Sequence, residues 1–220
     1  MHGVSLRTVL ALAVLTTPAA AQNECLKDYR MPAVGRWAEY QATFKGKPST
    51  MRYAVVGEES REGRAMKWLE MRMVGDKDTM VYQMLTPGNP AEMDQIQEAV
   101  FKTGDKPAMK MSGAMIGMIR GQMGKNSALA NLCEGVSLVG EESVTVPAGT
   151  FKATRFHNDK HDSDSWMVRD QPFYLVKSVG KDHEIALVKS GEGATSSITE
   201  EPQDMMGLSL IHISEPTRRS

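Results

Sequence analysis

The sequence predicts a mainly β protein of α+β composition, in which a curved antiparallel sheet or half-barrel carries one or two helices as a lid. Three observations predict it. Apolar and polar residues alternate with period two through most of the chain, broken by Gly, Pro and Asp/Asn turns. Helical spacing is confined to a Met- and Gly-rich stretch in the middle. The 220 residues contain no linker and no internal repeat, so a single domain is expected between residues 22 and 207.

In chain order, Trp37 to Lys45 places Ala38, Tyr40, Ala42 and Phe44 on one face and Glu39, Gln41, Thr43 and Lys45 on the other, the pattern of a half-buried strand. Thr50 to Val56, Ala65 to Val74 and Thr79 to Leu85 follow, separated by polar turns at Gly57 to Gly63 and Gly75 to Asp78. Strands at this spacing form an antiparallel meander. Asn89-Pro90 then reads as a helix N-cap followed by proline at the first helical position, with Met93, Ile96 and Val100 on one face. The stretch Ala99 to Lys102 fits a strand equally well. The run MKMSGAMIGMIRGQMG aligns Met111, Met115 and Met118 on one helical face, with Gly113, Gly117 and Gly121 weakening the helix by about 1 kcal/mol each. Those glycines suit close packing against the sheet. An interfacial or lid position is the alternative. Beyond Cys133 the β pattern returns as Val136 to Val139, Glu142 to Val146, Thr150 to His157, Ser165 to Arg169, Phe173 to Val179, His183 to Lys189 and Thr195 to Ile198.

Both termini read differently from the middle. Residues 1 to 21 have Arg7, an apolar run from Val9 to Leu15 and Ala19-Ala20-Ala21, the features of a cleaved signal peptide. The run is too short for the roughly 20 residues of a membrane span. An exported protein is therefore expected, periplasmic or extracellular. The residues before Cys25 are Gln22-Asn23-Glu24, which do not resemble a lipobox. Leu208 to Arg218, LSLIHISEPTR, resembles the conceptual translation of a transposase-type sequencing adapter, so residues 208 to 220 are expected to be a non-native tail.

Net charge is −1 with 24% charged residues, which argues against a nucleic-acid partner, a disordered chain and a polytopic membrane protein. In an oxidising compartment Cys25 and Cys133 are expected to pair, and the long loop they close is worth about 3 to 5 kcal/mol in the entropic picture. Two free thiols are the alternative.

The run GEESVTVPAGTFKATRF (Gly140 to Phe156), with Trp166, Gln171-Pro172-Phe173 and Leu175-Val176-Lys177, resembles a pattern in exported bacterial domains of unknown function. Those domains are similar to the lipoprotein-carrier (LolA/LolB-like) half-barrels. The resemblance covers Gly140 to Lys189 and the N-terminal meander only loosely. It implies a curved antiparallel sheet closed by helices around an apolar cavity that shelters acyl chains.

The chemistry-bearing patterns are few. No G-x-S-x-G, H-E-x-x-H, Walker or dinucleotide motif occurs, so no enzyme and no cofactor are expected. His157, Asp159, His161, Asp162 and Asp164 crowd one segment, but as a polar hairpin loop rather than a metal site. The 17 methionines are the main compositional departure, grouped at Met71/Met73, Met109/Met111 and Met115/Met118. Adaptable thioether side chains suit variable apolar ligands, although ordinary core packing accounts for them equally. Their softness also admits copper as a third reading. The expectation is a non-enzymatic binder of a hydrophobic ligand such as a lipid or acyl chain, with Tyr40, Phe44, Met111, Met115 and Met118 as candidate ligand-binding residues and with peripheral membrane contact. The alternative is a structural or protein-interaction domain of the envelope with no ligand.

Overall fold

The computed structural model describes residues 29–75, 78–88, 95–126 and 135–205, the side chains of 119 and 121–126 excepted. The strands are β1 (Trp37–Phe44), β2 (Lys47–Arg61), β3 (Arg64–Val74), β4 (Thr79–Thr86), β5 (Glu98–Thr103), β6 (Met109–Lys110), β7 (Val136–Val146), β8 (Gly149–Asn158), β9 (Ser163–Met167), β10 (Leu175–Gly180), β11 (His183–Gly191) and β12 (Gln203–Asp204). Among the described residues one α-helix, α1 (Gly113–Asn126), lies between β6 and β7. The strands form a single 12-stranded sheet in the order β12-β6-β5-β4-β3-β2-β1-β11-β10-β9-β8-β7. All neighbours are antiparallel except β12 with β6.

The period-two segments became strands largely as the alternation required, and the differences arise at glycines. Gly57 was expected to open a turn, but β2 continues to Arg61 through a bulge between Val55 and Gly57 opposite Trp68. A Cβ on Gly57 would meet the Trp68 ring at 3.4 Å, an ordinary van der Waals contact, so the bulge itself does not demand glycine there. The turn comes instead at Glu62 and Gly63, both at positive φ. Val136–Val139 and Glu142–Val146, expected as two strands, are one strand bulged between Leu138 and Gly140. The ambiguous stretch after Ile96 is strand β5, paired along its length with β4. The helix expected to begin at Asn89 falls largely outside the described residues.

The expected half-barrel with a helical lid requires correction. The sheet stays open, with β12 and β7 as its edges. Helix α1 rests against its β5 end, through buried Ile116 and an Arg120 guanidinium that donates to the Ile96 carbonyl, 2.7 Å from Nε. Close packing does not explain its glycines: a Cβ at Gly113 or Gly117 would meet nothing within 4 Å. The helix is capped by Ser112, whose Oγ accepts from the Met115 amide at 3.3 Å. The expected Cys25–Cys133 disulfide, the leader and the tail lie outside the described residues.

Directly opposed residues share a face, and the registers divide the sheet into one face bearing Tyr40 and another bearing Glu70. On the Tyr40 face, the β7–β8 hairpin turns over β1, β10 and β11. Val144, Val146 and Ala153 pack there on Ala38, Tyr40, Val176 and Leu187. The Ala148 amide donates to the Leu187 carbonyl at 3.1 Å.

The Glu70 face is crossed by residues 192–202. Thr195 to Ile198 were expected as a strand, but they form an irregular strap held by side chains. The Trp37 indole donates to the Glu192 carbonyl at 3.1 Å, and Ile198 packs on Val81, Val100 and Ala108. Glu70, only 1% exposed, accepts from Gln83 Nε2 (2.7 Å), the Ser197 amide (2.8 Å) and Ser197 Oγ (2.6 Å). Lys102 meets Glu200 at 2.5 Å, and Gln203 N donates to Ala108 O as the chain enters β12. The strap lacks period-two pairing because a carboxylate and hydroxyls, rather than ladder bonds, satisfy its backbone.

Candidate functional site

The half of the Tyr40 face that the β7–β8 hairpin leaves open is made by β2 to β6. The registers order its side chains into rows running across the strands. One row is Leu187, Tyr40, Met51, Met73, Met80 and Thr103. The next is Ala38, Tyr53, Met71, Tyr82, Phe101 and Met109. A third is Val55, Leu69, Met84 and Ala99. None of these side chains is charged. Charged neighbours such as Arg52, Arg72 and Lys102 belong to the Glu70 face by the same registers.

In the first two rows burial falls from β1 outward, whereas Val55, Leu69 and Ala99 of the third are all buried. Tyr40 and Met51 are buried, whereas Met71, Met73, Met80, Tyr82, Phe101 and Met109 are half-buried. A half-buried sheet face of thioethers and aromatic rings is adaptable and apolar, and lacks a covering layer comparable to the β7–β8 hairpin among the described residues. Where β4 and β5 meet the start of α1, an apolar cavity of about 140 Å³ is lined by Tyr82, Met84, Ile96, Ala99, Met111 and Ile116. It is comparable to engineered apolar cavities of about 150 Å³ that bind benzene, and smaller than the roughly 300 Å³ at which small-molecule sites begin. A larger depression of about 410 Å³ between Glu39, Thr50 and Val188 is open and half polar.

An aromatic cluster bounds the open face on the β1 side. Tyr40 and Tyr53 meet edge-on at 6.0 Å, Tyr53 meets Phe173 at 5.7 Å, and Tyr29 meets Tyr174 edge-on at 5.0 Å. Phe173 and Tyr174 occupy consecutive positive-φ conformations, a strained arrangement for aromatic residues that aims both rings inward. Burial raises the Tyr29, Tyr40 and Tyr53 hydroxyls well above the ordinary phenol range.

The five residues expected to bind ligand are not gathered into one site. Tyr40 is a core residue whose hydroxyl donates to the Leu175 carbonyl at 3.1 Å. Phe44 is 39% exposed at the end of β1, stacked on His183 at 6.4 Å. Met111 reaches the small cavity, Met115 is half-buried on α1, and Met118 is 56% exposed. The open face instead uses Met51, Met71, Met73, Met80, Met84 and Met109. Its signal was present in the alternation of β3 and β4, where Leu69, Met71 and Met73 and then Met80, Tyr82 and Met84 recur every second residue. Only strand pairing shows that they share a surface.

The polar clusters are ordinary by comparison. Arg155 grips Asp164 through Nε (3.0 Å) and Nη2 (2.9 Å), and His157 Nδ1 lies 3.1 Å from the same carboxylate. The Arg155 hydrogen bonds hold Asp164 below the usual carboxylate range, with His157 contributing. His161 and Asp162 sit apart in the β8–β9 turn. Among the described residues no group of three His, Cys, Asp or Glu converges on a metal position. Ser178 Oγ and His183 Nε2 are 3.0 Å apart, but Ser178 is buried and its other side-chain neighbour is Ser165.

No family model matches the chain, and no curated protein matches it. Several solved structures are similar, and two illustrate the likeness. An exported-protein candidate with a YmcC-like fold from Bacteroides fragilis is 11% identical, with 74% of this chain and 99% of that chain covered and a TM-score of 0.32. A lipoprotein candidate from Parabacteroides distasonis is 14% identical, with 74% and 97% covered and a TM-score of 0.34. At these identities and scores the likeness carries neither an activity nor a ligand.

Proposed function

We propose that the chain is an exported, non-enzymatic binding protein that takes a hydrophobic ligand, a lipid or acyl chain, on the open Tyr40 face. The observation that supports this is the two uncharged rows of methionine and aromatic side chains across β2 to β6, half-buried beyond Met51 and reaching, through Tyr82, the apolar cavity beside Met111 and Ile116. A cavity of about 140 Å³ suits one end of an acyl chain, and the rows offer a track for the remainder. Exposed Met118 and the polar rim are consistent with transient contact at a membrane surface.

The test is native mass spectrometry of protein purified from an exporting host, followed by solvent extraction and displacement of a fluorescent fatty acid. A co-purifying lipid, and displacement that weakens in Met71→Glu, are the expected results. A ligand-free mass together with no fatty-acid binding defeats the proposal.

One observation favours a second reading, a structural or interaction domain of the envelope with no ligand. The enclosed apolar space is below the usual size of a small-molecule site, and the β1, β10 and β11 half of the same face is fully packed.

A further inference from the structure

Within the open face, the row through Met51, Met73 and Met80 has a property that lipid binding does not use. Met73 lies on the central strand of the three, with Met51 directly opposite on β2 and Met80 directly opposite on β4. Directly opposed Cβ atoms are about 4.5 to 5.5 Å apart, and each methionine has three rotatable bonds beyond them. Three sulfurs can therefore converge above Met73 with no backbone movement.

We propose that Met51, Met73 and Met80 form a Cu(I) site with a three-thioether ligand set, a function that goes beyond the lipid reading and does not rest on it. Thioethers are soft, neutral ligands that select Cu(I) over zinc, calcium and magnesium. The row contains no carboxylate or imidazole, and its other members are Leu187, Tyr40 and Thr103. No cationic side chain shares the row, because Arg52 and Arg72 belong to the opposite face.

Met51 is 5% exposed and anchors the inner side, while Met73 and Met80 are half-buried, which gives an ion a path in from solvent. The one polar contact to a sulfur is weak and reversible: the Tyr82 hydroxyl donates to Met80 Sδ at 3.9 Å. A bound ion would displace that bond and leave the hydroxyl to solvent. The other methionines of the face, Met71, Met84 and Met109, fall in the neighbouring rows and lie off this line of directly opposed residues.

The experiment is an anaerobic titration of the full chain with Cu(I) against bicinchoninate, with X-ray absorption to read the donor shell. It is repeated in a Cys25→Ser/Cys133→Ser variant so that thiols do not compete. One Cu(I) per chain in an all-sulfur shell is expected in both. Met73→Leu and Met80→Leu are nearly volume-conserving and retain the fold. Each should weaken retention by about tenfold or more, since even an outer-shell partner of a metal site costs that much. Met118→Leu, on the exposed side of α1, should leave retention unchanged. Failure to hold Cu(I) against the chelator, a shell of nitrogen or oxygen donors, or equal retention in folded Met73→Leu overturns the proposal. Lipid content measured on the same preparations reports on the lipid reading separately.

Discussion

Glu70 holds the strap, and removing its carboxylate tests how the Glu70 face is assembled. In Glu70→Ala, the Ser197 amide and Ser197 Oγ lose the acceptors they now reach at 2.8 and 2.6 Å. Gln83 Nε2 keeps Ser196 Oγ at 2.6 Å but loses Glu70. Ser197 is exposed, so its two freed donors turn to water and each loses only a net hydrogen bond of about 0.5 to 1.5 kcal/mol. Two such bonds predict a loss of about 1 to 3 kcal/mol, less whatever is recovered by no longer burying a carboxylate that has no cation among its hydrogen-bond partners. A net loss of about 2 kcal/mol would lower Tm by about 4 to 8 °C for a domain of this size. Thermal unfolding followed by circular dichroism measures it. Hydrogen exchange locates it, because Ser197 and Ile198 amides should lose protection while those in β1 and β11 keep theirs. A Tm within about 1 °C of the parent, with Ser197 still protected, would refute the reasoning and mean that Ile198 packing alone seats the strap.

Four further outcomes are expected. Tyr40→Phe removes the hydrogen bond to the Leu175 carbonyl and should cost about 1 kcal/mol in denaturant unfolding. The raised Tyr29, Tyr40 and Tyr53 hydroxyls mean that the folded chain retains protons that the unfolded chain releases, so stability should be intact below about pH 10 and fall above it, as ultraviolet phenolate titration alongside unfolding would show. Asp164, held below the usual carboxylate range by Arg155, contributes stability that is present at neutral pH and lost as pH falls through its depressed folded value; in Asp164→Asn that acid-side dependence should shrink, read from unfolding midpoints between pH 5 and 2. In Gly180→Ala the new Cβ would lie 2.5 Å from the His183 ring, so the ring must shift, the Ser178 contact should break, and nuclear magnetic resonance should report a displaced His183 and Phe44 pair.

Much of the architecture was legible because an antiparallel strand with one buried face records its period in the chain. Trp37 to Phe44 and His183 to Lys189 are read directly from alternation, since a slip of one residue would expose every buried side chain of the strand. Bulges were not legible. Gly57 and Gly140 carry the same signal as turn glycines, and only the partner strand distinguishes a two-against-one register from a reversal. The strap was misread as a strand because Thr195 and Ile198 are β-branched and follow a run of strands, while the acceptor that satisfies its backbone, Glu70, is more than a hundred residues away.

The sequence by itself determined the β class, most of the long strands and the methionine enrichment, because composition and period are local properties of the chain. Tertiary structure decided which methionines share a surface. Met51, Met73 and Met80 are spread over 30 positions and meet only through the registers of β2 with β3 and β3 with β4. Met111, Met115 and Met118, expected on one helical face, are distributed between a small cavity and solvent because the helix begins only at Gly113, leaving Met111 before it, and α1 contacts the sheet along one side. Tertiary structure also decided that the sheet remains open, since closure depends on whether its edges pair, and among the described residues β7 and β12 each bond to a single neighbouring strand.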